Sequence, residues 1–385
     1  MRILAIETSC DDTGIAILEV VNNGTYRVLA NLVSSQIEVH KEYGGVYPAM
    51  AKRAHQKNLM PTFTSALKAA QMLSRRASPQ KGGKLDIVAK ILEREPELLK
   101  KIIPFFEKYK KPEVDAIAVT NGPGLEPCLW VGINFAKALS YFWNLPLIDV
   151  NHIKAHIFVN TLNNEKIIEE LKPESFPLIA LVVSGGHTQL VLMPKLGKYE
   201  IIGETRDDEA GECFDKCAKI LGLGYPGGPI ISALAEESKK NFKFQILNFK
   251  LPRPMMGSGD YDFSFSGLKT AVLYRVQKDK NKTKKYKQIM AAEVQQAIID
   301  VLIKKTVKAA RDHRVKTIIL GGGVSANQEL RKQFSALPGF KIIYPPANLS
   351  TDNGLMVAIA GYFKIKQNKF INWQDIEAKA NLRVE

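Results

Sequence analysis

The sequence predicts an α/β protein of two duplicated lobes, and three observations carry that prediction. Ile3–Leu18 reads as an apolar strand, a small polar turn and a second strand, and Leu178–Met193 repeats that device about 175 residues later. In both, the turn residues are Ser, Thr, Gly or Asp, whose hydroxyls and exposed amides can cradle phosphate oxygens. Between and after the copies come units of strand, glycine turn and helix, the pattern of α/β domains with ligands at strand C-termini. A hairpin recurring at half the chain length therefore predicts two lobes with a nucleotide in the cleft between them.

Taken in order, Val114–Val119 is a strand, followed by the turn Asn121-Gly-Pro-Gly124 and a helix through about Tyr141. Leu145–Ile148 is a short apolar run that reads as a buried strand, leading into Asn151–His156. Lys316–Leu320 is a strand running into Gly321–Asn327 and a further helix; its three adjacent glycines let backbone approach a ligand closely. A helix is expected over Leu355–Tyr362, with a C-terminal helical segment of about 355–385 completing the first lobe. The expected lobes are 1–149 and 150–354, the second carrying the metal and nucleotide site. The stretch 75–111 breaks the rhythm: Ser78–Gly83 reads as a loop and Leu85–Tyr109 as one or two charged amphipathic helices inserted on the first lobe.

Length and composition bound the class. At 385 residues the chain exceeds one typical core, and 45% apolar with 24% charged residues is ordinary for a globular protein. Four cysteines form no disulfide framework, and the opening apolar run is too short for a signal peptide. No stretch reaches the roughly 18 apolar residues of a membrane span, so a cytoplasmic location is expected. The net charge of +15 favours an anionic partner, of which nucleic acid is the commonest. Part of that excess is local, in the six lysines of Lys278–Lys287, a run that also reads as a solvated loop.

The chemistry-bearing residues each have two readings. His152 and His156, one turn apart on a helix starting near Asn151, are either a metal pair or two ordinary surface histidines. A carboxylate completes hard metal sites of this kind more often than a third histidine, and Asp352, directly before the last helix, is either that ligand or a helix cap. His187 is a third ligand, a phosphate contact or a residue that shapes its turn. Asp207 and Asp208 stand where helix-capping acids would, whereas Asp215 could face a ribose or other polar ligand group. Tyr225–Pro229 is a rigid turn suited to a flat ligand, or a structural turn only. Cys213 and Cys217, four apart, are a weak metal pair or two small helix residues. The chain lacks a Gly-x4-Gly-Lys loop, a Gly-x-Ser-x-Gly elbow and a His-Glu-x-x-His motif; position 153 is Ile where a zinc protease carries its glutamate.

Together, Ile6–Gly14, Tyr43–Pro48, Gly122–Leu125, Asn151–His156, Val183–Thr188, Phe214–Lys216, Tyr225–Pro229, Asp262–Lys269, Gly322–Asn327 and Thr351–Gly354 resemble the TsaD family of bacterial tRNA N6-adenosine threonylcarbamoyltransferases. The resemblance runs in order along almost the whole chain. It implies an actin-like (sugar-kinase/Hsp70-type) ATPase fold with the active site in the cleft. It also implies transfer of threonylcarbamoyl from threonylcarbamoyl-AMP to N6 of the adenosine 3′-adjacent to the anticodon, in tRNAs reading codons that begin with A. Implied metal ligands are His152, His156 and Asp352, holding one divalent ion, Fe(2+) first and Zn(2+) second. Implied substrate contacts are Val182, Val183, Ser184, Gly185, Gly186, Asp215, Gly228 and Asn327, with Ser9, Asp11 and His187 as possible additions. Implied partners are tRNA, a TsaB-like paralogue and a TsaE-like ATPase, and the 75–111 insertion puts the usual partner interface in doubt. Competing readings are a small-molecule kinase of the same fold, a metallopeptidase and a non-catalytic tRNA- or nucleotide-binding module.

Overall fold

The computed structural model describes residues 1–21, 24–78, 82–162, 171, 173–241, 250–279 and 282–385. Residues 79–81 of the expected loop and 280–281 of the lysine run lie outside the described residues.

The first unit is built on a five-stranded sheet: β1 (Arg2–Glu7), β2 (Asp12–Val20), β3 (Tyr26–Ser35), β4 (Ala116–Gly122) and β5 (Leu147–Asn151), in the order β3-β2-β1-β4-β5. The β1–β2–β3 meander is antiparallel, while β4 and β5 join parallel. All seven residues of β4 are buried, as a parallel strand covered on both faces requires. Helices Pro48–Ala69 and Glu126–Trp143 supply much of the core, including Phe63 and Phe135. The expected insertion forms two helices, Lys84–Ile91 and Pro96–Lys108. Its Val88, Leu98, Ile102 and Phe106 enter the same core, where Phe106 stacks on Phe142 at 3.9 Å.

The second unit repeats the plan. Strands β6 (Leu178–Val183), β7 (Thr188–Lys195), β8 (Lys198–Glu204), β9 (Thr317–Gly321) and β10 (Lys341–Ile343) are ordered β10-β9-β6-β7-β8. Again a three-stranded antiparallel meander is extended by two parallel strands. Strand order and direction match the first sheet position by position. This is the duplicated α/β core that the sequence predicts.

The unit boundaries differ from the expected ones. The first unit comprises Met1–Val39, Val46–Glu170 and Asp352–Val384; the second comprises His40–Gly45, Leu171–Thr351 and Glu385. The helix His152–Phe158 stays with the first unit because it continues directly from β5, which is hydrogen-bonded into the first sheet. The terminal helix runs over Gly354–Lys366, not to 385. It stops where Asn368 turns to φ 53°, and Ile371 instead bridges to Leu147 at the start of β5. Among the described residues, no helix is long and apolar enough to cross a membrane.

Candidate metal centre

Asn151 ends β5 and begins the next helix, its side-chain oxygen accepting from Lys154 N at 3.1 Å. An asparagine in extended conformation is among the best helix N-caps. It fixes the helix start so that His152 and His156 meet edge to face on one side of the helix, their ring centroids 4.6 Å apart and their planes at 84°. They are 3% and 1% exposed, which removes the surface-histidine reading. Burying two imidazoles is costly unless their ring nitrogens are engaged.

Asp352 reaches this pair from the far end of the sequence. The cap of helix Gly354–Lys366 is Asn353, whose Oδ1 accepts from Met356 N at 3.1 Å, so Asp352 is not needed as a cap. The close approach depends on glycine: a Cβ on Gly14 would stand 2.7 Å from Gly354 N, and one on Gly354 would stand 2.5 Å from Ala16 N. With both absent, the helix start presses onto β2 and Asp352 Oδ1 lies 3.0 Å from His156 Nε2 and 3.5 Å from His152 Nε2. One ligand atom from each of the three residues falls within 4.8 Å of the others, a donor set suited to a single ion.

Behind His152 stands Glu7, at the end of β1 and fully buried. Its Oε2 is 3.3 Å from His152 Nδ1 and accepts from Thr120 Oγ1 at 2.6 Å, while Oε1 accepts from Ser9 N at 2.6 Å. An imidazole that gives its Nδ1 proton to a carboxylate presents the Nε2 lone pair forward, the carboxylate–histidine–metal arrangement. Ser9 Oγ, 3.2 Å from the same Nδ1, completes the shell. Sequence reading singled out Ser9 but not Glu7 or Thr120. The available signal was a carboxylate closing an apolar strand without a cationic neighbour in sequence.

Electrostatics favour a cation here. Burial pulls the His152 imidazolium down, but Asp352 and then Glu7 outweigh it and raise its pKa to about 9. Burial first, and then the charge on His152, outweighs the hydrogen bond that His156 Nε2 gives to Asp352 and leaves His156 below its usual value. Burial first, then Asp11 and Asp352, pushes the Asp12 carboxyl up to about 7. The carboxylates that raise the His152 pKa are the charges a divalent ion bound at this place would balance.

The remaining predicted residues lie in the second unit, with Asp11 alone staying beside the centre in the first. Val182 and Val183 are buried in β6, so only their backbone could meet a ligand. Ser184 Oγ accepts from Gly186 N at 3.3 Å and His187 N at 3.1 Å, closing the hydroxyl turn on itself, and the trio forms without His187. Gly185 and Gly186 have nothing within 4 Å of where a Cβ would stand, leaving the turn open. Asp215 accepts from Gly227 N at 2.6 Å, which brings it beside Gly228. Asn327 caps helix Gln328–Ser335 through Leu330 N at 3.0 Å and donates to Gln295 at 2.8 Å, so both ends of its amide are engaged.

The expected capping acids are corrected. Glu209 caps helix Ala210–Ile220 in a reciprocal box with Glu212. Asp207 instead accepts from Phe265 N, Ser266 N, Ser264 Oγ and Ser266 Oγ, at 2.8, 3.1, 2.5 and 2.6 Å, and so holds the start of helix Ser266–Lys278. Asp208 pairs with Lys216 and Lys269. Cys213 and Cys217 are fully buried with sulfurs 3.9 Å apart, and no third ligand joins them among the described residues.

Sequence comparison decides the family. A model of the family described as tRNA N6-adenosine threonylcarbamoyltransferase (TsaD) matches residues 27–76 and 96–359. A protein of that name from Thermosipho africanus (strain TCF52B) is 43% identical over 388 residues, covering 100% of both chains. The chain belongs to the TsaD family. A further TsaD relative, from Persephonella marina (strain DSM 14350 / EX-H1), is 40% identical over 100% of this chain and 96% of its own. The stretch between the two matched segments, 77–95, falls inside the expected insertion, whereas 96–111 belongs to the matched part. Among solved structures, the activator of 2-hydroxyisocaproyl-CoA dehydratase from Clostridium difficile aligns over 96% of this chain and 97% of its own, at 11% identity and a TM-score of 0.48.

Proposed function

We propose that this chain transfers the threonylcarbamoyl group from threonylcarbamoyl-AMP to N6 of the adenosine 3′-adjacent to the anticodon, in tRNAs reading codons that begin with A. Full-length identity of 43% to a tRNA N6-adenosine threonylcarbamoyltransferase carries this reading, and the net charge of +15 suits a tRNA substrate. In the reaction the amine nitrogen bonds to the carbonyl carbon, the carbonyl–phosphate bond breaks, AMP leaves and one amine proton is lost. The anhydride is already activated, so no protein nucleophile is required.

His152, His156 and Asp352 would hold one divalent ion, Fe(2+) or Zn(2+), because two imidazoles and a carboxylate match both in donor type. Bound there, the ion supplies a Lewis acid that polarises a carbonyl or phosphoryl oxygen. With Glu7 and Ser9 at its Nδ1, His152 would turn its Nε2 lone pair to the ion, and Asp352 would balance the charge. Ile153, next to His152, is 1% exposed in the core, so the position of a zinc protease base is apolar. We assign substrate contacts to the backbone at Val182–Gly186 and to Asp215 and Gly228, with Ser9, Asp11 and His187 as additions. Asn327 is retained as a contact through its backbone, its side chain being engaged in capping. We further propose a TsaB-like paralogue and a TsaE-like ATPase as partners, and a cytoplasmic location where tRNA is found.

The test supplies purified protein with threonylcarbamoyl-AMP and two tRNA transcripts, one with adenosine and one with guanosine 3′ of the anticodon. Nucleoside analysis by mass spectrometry should show the modified adenosine in the first only. No modified nucleoside, with or without the partner proteins, would overturn the reading.

A further inference from the structure

The segment after the last helix lies along the first unit with a regularity that packing alone does not require. Ile371 N donates to Leu147 O at 3.0 Å, at the start of edge strand β5, and Ile376 is fully buried in the core. Lys379 N then donates to Asn121 O at 2.8 Å, and Ala380 O accepts from Gly124 N at 3.1 Å. At the far end of β5, Arg383 O accepts from Asn151 Nδ2 at 3.2 Å. The tail thus starts at the first residue of β5, crosses the turn after β4 and reaches Asn151, the last residue of β5 and the cap of the His152–Phe158 helix.

The turn it crosses is shaped for it. Gly122 has φ +152°, and a Cβ there would lie 2.0 Å from Lys379 O, so only glycine lets the tail carbonyl seat on this turn. The turn in turn reaches the metal centre, because Leu125 N donates to Ser9 O at 2.7 Å and Ser9 contacts both Glu7 and His152.

Asn151 makes the second connection. An asparagine amide can present either its oxygen or its NH2 to a helix start, and only the oxygen caps. The Arg383 carbonyl accepts from Nδ2 and so selects the orientation in which Oδ1 faces Lys154 N. The helix it caps has only seven residues, too few to hold its own geometry, and its first and fifth residues are His152 and His156.

We propose that Lys379–Arg383 is a positioning element for the metal centre, setting the two histidines through Asn151 and through the Gly122–Gly124 turn. The role rests on the metal reading above but is separable from it. Groups that hydrogen-bond a metal ligand directly are worth about 10–100-fold in affinity, and an element acting one residue further out is expected at the low end, about tenfold.

The test uses metal-stripped full-length protein, a chain ending at Ala380, and Asn151→Ser, which keeps a capping hydroxyl but cannot reach Arg383. Cobalt(II) titration, followed by its visible absorption, gives the dissociation constant of each, and thermal unfolding without metal reports the fold. Cobalt binding about tenfold weaker in both variants, with metal-free unfolding of Asn151→Ser near that of the native chain, is the expected result. Equal cobalt affinity in the native chain and in either variant would overturn the positioning role while leaving the metal site intact. If the full-length chain bound no cobalt, the metal reading itself would fall, and the positioning role with it.

Discussion

Replacing Glu7 by Gln tests whether the carboxylate behind His152 sets the metal centre. The two side chains are nearly isosteric, so the change is one of hydrogen-bond polarity in a fully buried position. Oε1 accepts from Ser9 N, and Oε2 accepts from Thr120 Oγ1 and faces His152 Nδ1. A Gln amide has one oxygen for these two places. If NH2 takes the Oε2 place it opposes His152 Nδ1–H, which favours the wrong tautomer; if it takes the Oε1 place it opposes Ser9 N–H. Either way one buried donor is orphaned, at a cost of about 1–3 kcal/mol. Loss of such a partner lowers metal affinity by about 10–100-fold, or roughly 1.4–2.7 kcal/mol. Competition between the metal-stripped variant and a chromogenic chelator for Zn(2+) measures this directly. An affinity within twofold of native would refute the assignment of Glu7 as the residue that orients His152.

Other substitutions separate folding from function. Gly122→Ala places a methyl 2.0 Å from Lys379 O and should lower unfolding stability by about 1–3 kcal/mol, read by denaturant titration. Asn327→Ala removes a helix cap and should cost about 1 kcal/mol; a loss of transfer well beyond the unfolded fraction would show that its side chain also meets substrate. Asp207→Asn tests a pH effect: although partial burial opposes it, hydrogen bonds from Ser264, Ser266 and Phe265 hold Asp207 at a pKa of about 2. A depressed carboxylate pKa stabilises the fold above the unfolded value, about 3.9, and that contribution disappears as pH falls towards 2. Native protein should therefore lose stability between about pH 4 and 2 more steeply than the variant, by a modest amount because Asp207 is exposed.

The fold was largely legible in the sequence because its strands announce themselves. Ile3–Ile6 and Leu178–Val183 are unbroken apolar runs, and such runs followed by small polar turns admit few other structures. The histidine pair was legible from its spacing, since four residues on a helix are one turn. Asp352 was legible only as a ligand or a helix cap, because what brings it to the histidines is the mutual approach of Gly14 and Gly354, some 340 residues apart. Glu7 escaped for a similar reason: a strand-end carboxylate acquires meaning only beside His152. The unit boundary was misplaced because sequence shows where a strand ends, not that the helix after β5 still packs on the same sheet. Asp207 was read as a cap for the nearest helix in sequence, whereas it caps one that begins nearly sixty residues later.

The most direct measurement is single-turnover transfer of labelled threonylcarbamoyl from its adenylate to tRNA, with protein as purified, after chelation, and after Fe(2+) is restored. Label should reach tRNA with the native chain, fall to background on chelation and return with the ion, while Asp352→Ala stays at background throughout. Transfer at the native rate by chelated protein or by Asp352→Ala would contradict an acyl transfer that depends on His152, His156 and Asp352.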